Sequence, residues 1–325
     1  TQKWDGAKEA ENARKAVNDK SVVAYIGTFN SGAAQVSIPI LCGAGLGMIS
    51  PANTYPGLTK KRKGEKDEPD KFYPGGCKRN YSRVVPADDL APLLELRRSI
   101  FLKCKEIFSH PGDDPAEFFN NFHSLKITGT KLNELRMDII NDCTQNIDSG
   151  TLLSEAFRGT ILDLLGPDLL VQKNTNLVIQ QPLDPNPSET HRDAPANSPY
   201  EVVVWVPLVD AYRTKAMYIL NREKTKEALA LLDLGKDNWA DYEAFCVKSG
   251  DNPNIPFGSA LFFWTGLLHG SQINKEKETR WTLNMRYKNL FSPNGAKDPF
   301  DFFKVFRLSP LAKIGINFQK ENLLG

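Results

Sequence analysis

No stretch of the 325-residue chain is apolar for long enough to cross a membrane, which takes about 18 consecutive residues. No basic-then-apolar leader opens it. Thr1 to Asp5 shows neither pattern and there is no initiator methionine, so a segment has been removed or the chain starts inside a longer reading frame. Charge of one sign is also missing. With a formal net charge of +2, the chain offers no field to attract nucleic acid or an anionic membrane, and neither is expected as a partner. The basic run Lys60-Lys61-Arg62-Lys63 is followed at once by Glu65, Asp67, Glu68 and Asp70 and reads as a solvated loop. Cysteine is sparse: Cys42, Cys77, Cys104, Cys143 and Cys246 make an odd number with no C-x-x-C spacing. That favours free thiols in a reducing compartment over a disulfide framework or a zinc site. Repeats and low-complexity tracts are absent. What remains is an ordinary globular composition, long enough for one large domain or two smaller ones.

What is present changes character along the chain. Ala7 to Asn18 has the apolar spacing Ala10, Ala13, Ala16, Val17 of an amphipathic helix. Val22 to Ile26 is a short β-branched run closed by Gly27, a second helix can open at Ser31 and run to about Leu41, and Gly47 to Pro51 reads as a second strand. Helix–strand–helix–strand is half of a doubly wound α/β unit. Residues 55–80 read as loop. From Asp88 helical stripes take over, first over Leu90–Phe108, then Phe118–Phe122, Lys131–Gln145 and Ser149–Leu165. Beyond Leu169 strands dominate: Asn176–Gln180, Glu201–Val206, Ala260–Trp264 and Arg280–Tyr287, with a helical insert over Glu223–Leu234. Helices followed by many short strands predict an α+β domain, a sandwich or jelly-roll barrel with helices packed on it.

Of four histidines, two fall in a chemically meaningful pattern. In His191-Arg192-Asp193 an imidazole and a carboxylate stand two residues apart, and residues i and i+2 of extended chain share a face. His269 follows the apolar run Leu261-Phe262-Phe263-Trp264 and can add a third ligand from a neighbouring strand. Two imidazoles and one carboxylate on one face of a metal are the ligand set of non-haem Fe(II) oxygenases, whose open positions admit a chelating keto acid and then dioxygen. The competing reading is a hydrogen-bonded loop pair, His191 with Asp193, and a separate core histidine at 269. His110 and His123 lie in the helical part and belong to neither pattern.

Eleven residues past His269, Arg280 opens a strictly alternating strand. Arg280, Thr282, Asn284 and Arg286 share one face; Trp281, Leu283, Met285 and Tyr287 share the other. A polar row turned into a barrel needs a partner, because unpaired buried charge is costly. A dicarboxylate would answer it, with Arg280 gripping the distal carboxylate and Thr282 adding a hydroxyl. Asn176 and Gln180 share a face of the strand before the triad and reach either the keto acid or core partners. Asp210 and Tyr218 are candidates for a substrate pocket. Arg192 points away from the pair beside it, towards substrate or a salt bridge, and Trp205 reads as core.

On His191-Arg192-Asp193, Trp205-Val206-Pro207-Leu208-Val209-Asp210, His269-Gly270-Ser271 and Arg280-Trp281-Thr282, residues 86–325 resemble the phytanoyl-CoA dioxygenase-like 2-oxoglutarate oxygenases, and more narrowly their branch from carbohydrate-biosynthesis clusters. The resemblance implies a double-stranded β-helix buttressed by the helices of residues 90–165. It implies Fe(II) on His191, Asp193 and His269, and 2-oxoglutarate on Arg280, with Thr282, Gln180 and Asn176 around it. It also implies dioxygen as co-substrate and a cytoplasmic setting. Halogenases of this family lack the ligand carboxylate; with Asp193 present, hydroxylation of a small molecule is expected. A sugar or nucleotide-sugar is the family-level expectation, and a lipid or acyl thioester stays open.

Residues 1–85 resemble something else. Asp19 to Gly27, Phe29 to Ala33, Met48 to Thr54, Tyr73 to Gly76, Asn80-Tyr81 and Arg83 to Pro86 are similar to part of the amino-acid-binding lobe of a type I periplasmic binding protein. In that family the positions of Ser31 and Thr54 grip the amino acid. A hydroxyl before a helix start suits an anion, but the first βα unit and the second lobe are not matched. A gene fusion or a joined reading frame is expected, with its seam near residues 81–90. The alternative is a solute-binding module with an inert oxygenase-like half.

Overall fold

The computed structural model describes residues 5–19, 21–22, 24–28, 31–50, 58, 67, 69–73, 81–83, 85–108, 112–194, 196–233 and 239–323. Thr54, Cys77, His110 and most of the loop expected over residues 55–80 lie outside them. The chain divides into two compact units, Thr1–Pro86 and Ala87–Gly325.

The first unit holds α1 (Gly6–Asn18), β1 (Ala24–Ile26), α2 (Ser31–Gly43), β2 (Gly47–Ser50), β3 (Tyr81–Arg83) and β4 (Val85–Pro86). Asp5 caps α1, its side chain accepting from the Ala7 amide at 2.9 Å. β1, β2 and β3 form a parallel sheet in that order, as the α/β pattern requires. Ala13 of α1 meets Ala34, Ile38, Leu41 and Met48 in a small apolar core. One expectation fails here: Cys42 is disulfide-bonded. Its pairing was invisible to spacing rules, which see only short-range motifs. Cys104, Cys143 and Cys246 are free and buried.

The second unit begins with helices α3 (Ala91–Phe108), α4 (Pro115–Asn121), α5 (Gly129–Gln145), α6 (Ser149–Ala156) and α7 (Arg158–Leu165). Strands follow: β5 (Leu169–Gln172), β6 (Asn176–Gln180), β7 (Val202–Pro207) and β8 (Tyr218–Ile219). Next come α8 (Arg222–Asp233), α9 (Trp239–Ser249), β9 (Ser259–Trp264), β10 (His269–Gly270), β11 (Arg280–Asn289), α10 (Pro299–Phe302), β12 (Phe303–Arg307) and α11 (Pro310–Leu323). No described helix is long and apolar enough to cross a membrane.

β11 organises the domain. One of its edges pairs with β7, from Thr282↔Pro207 to Tyr287↔Val202. The other takes β6 over Arg280–Asn284 and β5 over Tyr287–Asn289. β12 and β9 extend the sheet outward, every pair antiparallel. Its alternation works as the sequence reads: Trp281, Leu283, Met285 and Tyr287 are fully buried against the helices. Trp281 lies 4.7 Å from the Phe119 ring and 5.0 Å from Phe122, centroid to centroid, contacts that add to area burial.

The opposite layer is built from very short pieces. β8 pairs with β10 over two residues, and isolated bridges join His191 to His269 and Ile219 to Asp251. The expected jelly-roll barrel is therefore met only as an antiparallel α+β architecture; among the described residues the ladders do not close into a barrel. The physical reason is local. The second layer is made of bridges one or two residues long, held by loop hydrogen bonds rather than by continuous strands.

Candidate metal centre

His191 and His269 are direct partners across one of those bridges. Each donates its backbone N–H to the other's carbonyl at 2.9 Å. Residues facing each other in an antiparallel pair send their side chains to the same side, so the imidazoles meet with centroids 4.4 Å apart. Asp193 sits two residues on and shares that face. Donor atoms of His191, Asp193 and His269 all lie within 4.8 Å of one another. The three residues that the sequence separates by up to 78 positions are thus one cluster.

Each ring is set for ligation by its own chain. Nδ1 of His191 donates to the Glu189 carbonyl at 2.8 Å, and Nδ1 of His269 to the Leu267 carbonyl at 3.0 Å. A carbonyl can only accept, so Nδ1 carries the proton and Nε2 keeps its lone pair. Burial, and then the neighbouring His191, pull the His269 imidazole down to about 4, so at neutral pH it is uncharged. Asp193 is buried, and its two oxygens differ. Oδ1 accepts from Arg286 Nη2 at 2.5 Å, whereas Oδ2 is buried with no hydrogen-bond partner.

The triad borders a cavity of about 90 Å³ whose wall includes Asn176, Trp205, Met217, Phe263, Arg280 and Arg286. Arg280 is 2 % exposed. Its Nη2 donates to Ser271 Oγ at 2.8 Å, while Nε and Nη1 have no partner. Burial draws its guanidinium down to about 10, which still leaves it charged at neutral pH. An enclosed cation with two idle donors is expensive, and an anion entering the cavity would relieve it.

The remaining candidates divide. Asn176 lines the cavity. Gln180 stands opposite Arg280 in the ladder and donates to the Gln272 carbonyl at 2.8 Å, leaving Oε1 buried without a partner. The Thr282 hydroxyl is also buried and unpartnered, but Thr282 is not part of the cavity wall. Asp210 accepts from the Phe257 amide at 2.8 Å, and the Tyr218 hydroxyl meets Thr190 Oγ1 at 2.6 Å; neither lines the cavity. Trp205, expected in the core, does line it. Arg192 is exposed. His123 sits elsewhere, its Nδ1 3.1 Å from Thr279 Oγ1. Sequence reasoning missed the pairing of Arg286 with Asp193, 93 residues away, and the support Ser271 gives Arg280. The alternation of β11 placed Arg286 on the right face but could not name its partner.

No protein-family profile matches the chain, and no curated protein sequence does. Solved structures do. A non-heme monooxygenase, ThoJ in complex with nickel, is 18% identical over 70% of this chain and 80% of its own, with a TM-score of 0.41. The non-heme α-ketoglutarate dependent epimerase SnoN from nogalamycin biosynthesis is 15% identical over 66% and 86%, with a TM-score of 0.36. An ABC transporter substrate-binding protein from Desulfitobacterium hafniense, in complex with Leu, is 24% identical over 31% of this chain and 25% of its own, with a TM-score of 0.20. Each TM-score is below 0.5.

Proposed function

We propose that residues 87–325 form a non-haem oxygenase domain that binds Fe(II) and 2-oxoglutarate and hydroxylates a small molecule. One observation carries this reading: two imidazoles with free Nε2 atoms and a carboxylate with a free, buried Oδ2 converge on a cavity that also holds the half-satisfied Arg280. Nitrogen and oxygen donors of this kind suit a divalent first-row metal, and three of them leave other positions open. The unpartnered Asp193 oxygen suits a cation, and the unpartnered Arg280 nitrogens suit a carboxylate. His191, Asp193 and His269 would hold the metal, and Arg280 with Ser271 would hold the far carboxylate of the keto acid. When bound, Fe(II) would activate dioxygen, the oxidant: 2-oxoglutarate would give up two electrons as it becomes succinate and carbon dioxide, and the substrate C–H bond the other two as it becomes C–OH.

The chain's own contribution is placement and dryness. The Nδ1 bonds fix both imidazole rings, Arg280 orients the keto acid by charge-assisted hydrogen bonds, and Trp205, Met217 and Phe263 give the cavity an apolar wall that limits water. Asp193 supplies the carboxylate that a halide-transferring site would lack, so hydroxylation is the reading we adopt. Asn176, which lines the cavity, is assigned to the keto-acid end, whereas Thr282 and Gln180 neighbour Arg280 on β11 and β6 without lining it. Neither nucleic acid nor a membrane is assigned as a partner.

The test is direct. Under argon, Fe(II) and then 2-oxoglutarate should produce a visible charge-transfer band; admitting air should yield succinate. His191→Ala, Asp193→Ala and His269→Ala should each abolish succinate formation, while His123→Ala should not. Parent-level succinate from His191→Ala or His269→Ala would refute the assignment.

A further inference from the structure

We propose that Arg286 is a positioning residue that confines Asp193 to single-oxygen ligation of the metal, and that Gln172 in turn fixes Arg286. The proposal rests on Asp193 being a metal ligand. A carboxylate can bind a divalent metal through one oxygen or two. With two imidazoles already bound, a second carboxylate oxygen would occupy a position that the keto acid or dioxygen needs in a six-coordinate site. The structure distinguishes the two oxygens before any metal arrives: Oδ1 accepts from Arg286 Nη2 at 2.5 Å, and Oδ2 alone is left over.

Arg286 is itself held. Its backbone N–H and its Nη1 both donate to Gln172 Oε1 at 3.2 Å. Gln172 is 5 % exposed, and its Nε2 donates to the Asn174 carbonyl at 2.6 Å. The register explains why these groups meet: Arg286 faces Val203 on β7, and on the other edge it falls in the gap between the β6 and β5 pairings, where its backbone N–H meets the Gln172 side chain instead of a strand. The resulting chain runs from Asn174 through Gln172 and Arg286 to Asp193. Such outer partners orient ligands and tune the metal they hold. Arg286 does not duplicate Arg280. Both border the cavity, but they serve different groups: Arg280 donates to Ser271 and Arg286 to Asp193.

Anaerobic titration of the full chain with Co(II), followed by 2-oxoglutarate, tests this without turnover. The d–d absorption of Co(II) reports coordination number and geometry. Arg286→Ala should still bind Co(II), with an altered d–d band before any keto acid is added. Its affinity for 2-oxoglutarate should then fall, by roughly tenfold, because a second Asp193 oxygen would compete for a position the keto acid needs. Gln172→Leu keeps the guanidinium but frees it, and should shift both readouts in the same direction by less. Arg286→Lys, which restores one donor, should recover most of the parent spectrum. A parent-like band and parent-like 2-oxoglutarate affinity in both Arg286→Ala and Gln172→Leu would overturn the proposal. So would loss of all Co(II) binding in Arg286→Ala while circular dichroism stays native. If Arg286→Ala does not fold, Gln172→Leu decides alone by the same readouts. His191→Ala separates the two levels: parent-level Co(II) binding there would refute the metal site itself, whereas lost binding there with an unchanged Arg286→Ala refutes only the positioning role.

Discussion

Two side chains in the cavity, Arg280 and His269, are held in states that cost stability and prepare binding. Arg280 keeps a buried charge with two idle nitrogens, so Arg280→Met should do two opposite things. It should remove about 2–4 kcal/mol of 2-oxoglutarate affinity, the worth of a charge-assisted contact of this kind. Without ligand it should also raise stability, because exchanging a poorly paired buried ion for an apolar side chain often gains about 1–4 kcal/mol. Equilibrium denaturation and the anaerobic titration read the two effects separately; a variant that is less stable and binds as before would contradict both. His269 is held neutral, with its imidazole down at about 4. In the unfolded chain it titrates near 6.5, so between roughly pH 6.5 and 4 the unfolded state binds the extra proton. The metal-free protein should therefore lose stability as pH falls through that window, by at most about 1.4 kcal/mol per pH unit from this group. His269→Asn should flatten the slope of denaturation midpoint against pH; an unchanged slope would mean that other groups set it.

The elements that place these residues differ in how plainly the sequence shows them. β11 is legible because its polar and apolar residues alternate over a whole strand, and each face meets what the pattern requires: the helices on one side and the cavity on the other. The helices from α3 to α7 are legible for the same reason, through apolar spacing. β8 and β10 are not, since two residues carry no period, and α9 was hidden by its mixed composition. Yet β10 carries His269, and its pairing with β8 is tight. A Cβ added at Gly270 would lie 2.5 Å from the Tyr218 hydroxyl oxygen, which is itself tied to Thr190 at 2.6 Å. Gly270→Ala should therefore push β10 away from β8 and displace His269. A loss of metal affinity of about tenfold is expected, as for other changes that disturb ligand orientation. Co(II) titration checks it, and parent-like affinity would show that β10 can accommodate the methyl. In the same way the triad was legible from His-x-Asp and a later histidine, because extended chain fixes their faces. The contacts of Arg286 with Asp193 and of Ser271 with Arg280 were not, because nothing local joins Asp193 to a residue 93 positions later or tells Ser271 its partner.

At the scale of the whole molecule, the two compact units carry different chemistry. The triad, Arg280 and the cavity all lie within Ala87–Gly325, and the parallel α/β sheet of Thr1–Pro86 contributes none of them. A chain lacking residues 1–84 should keep both Co(II) affinity and uncoupled 2-oxoglutarate turnover. Native circular dichroism with turnover lost would mean that the first unit has a part in catalysis. Calorimetric titration of the full chain with leucine or valine should show no binding, since binding at micromolar concentration would favour a receptor instead. All of this depends on one metal ion at one place. Crystals grown anaerobically with Fe(II), measured at the iron absorption edge, should give a single anomalous peak about 2.0–2.2 Å from donor atoms of His191, Asp193 and His269; no peak there, or a peak at another cluster, would contradict the account.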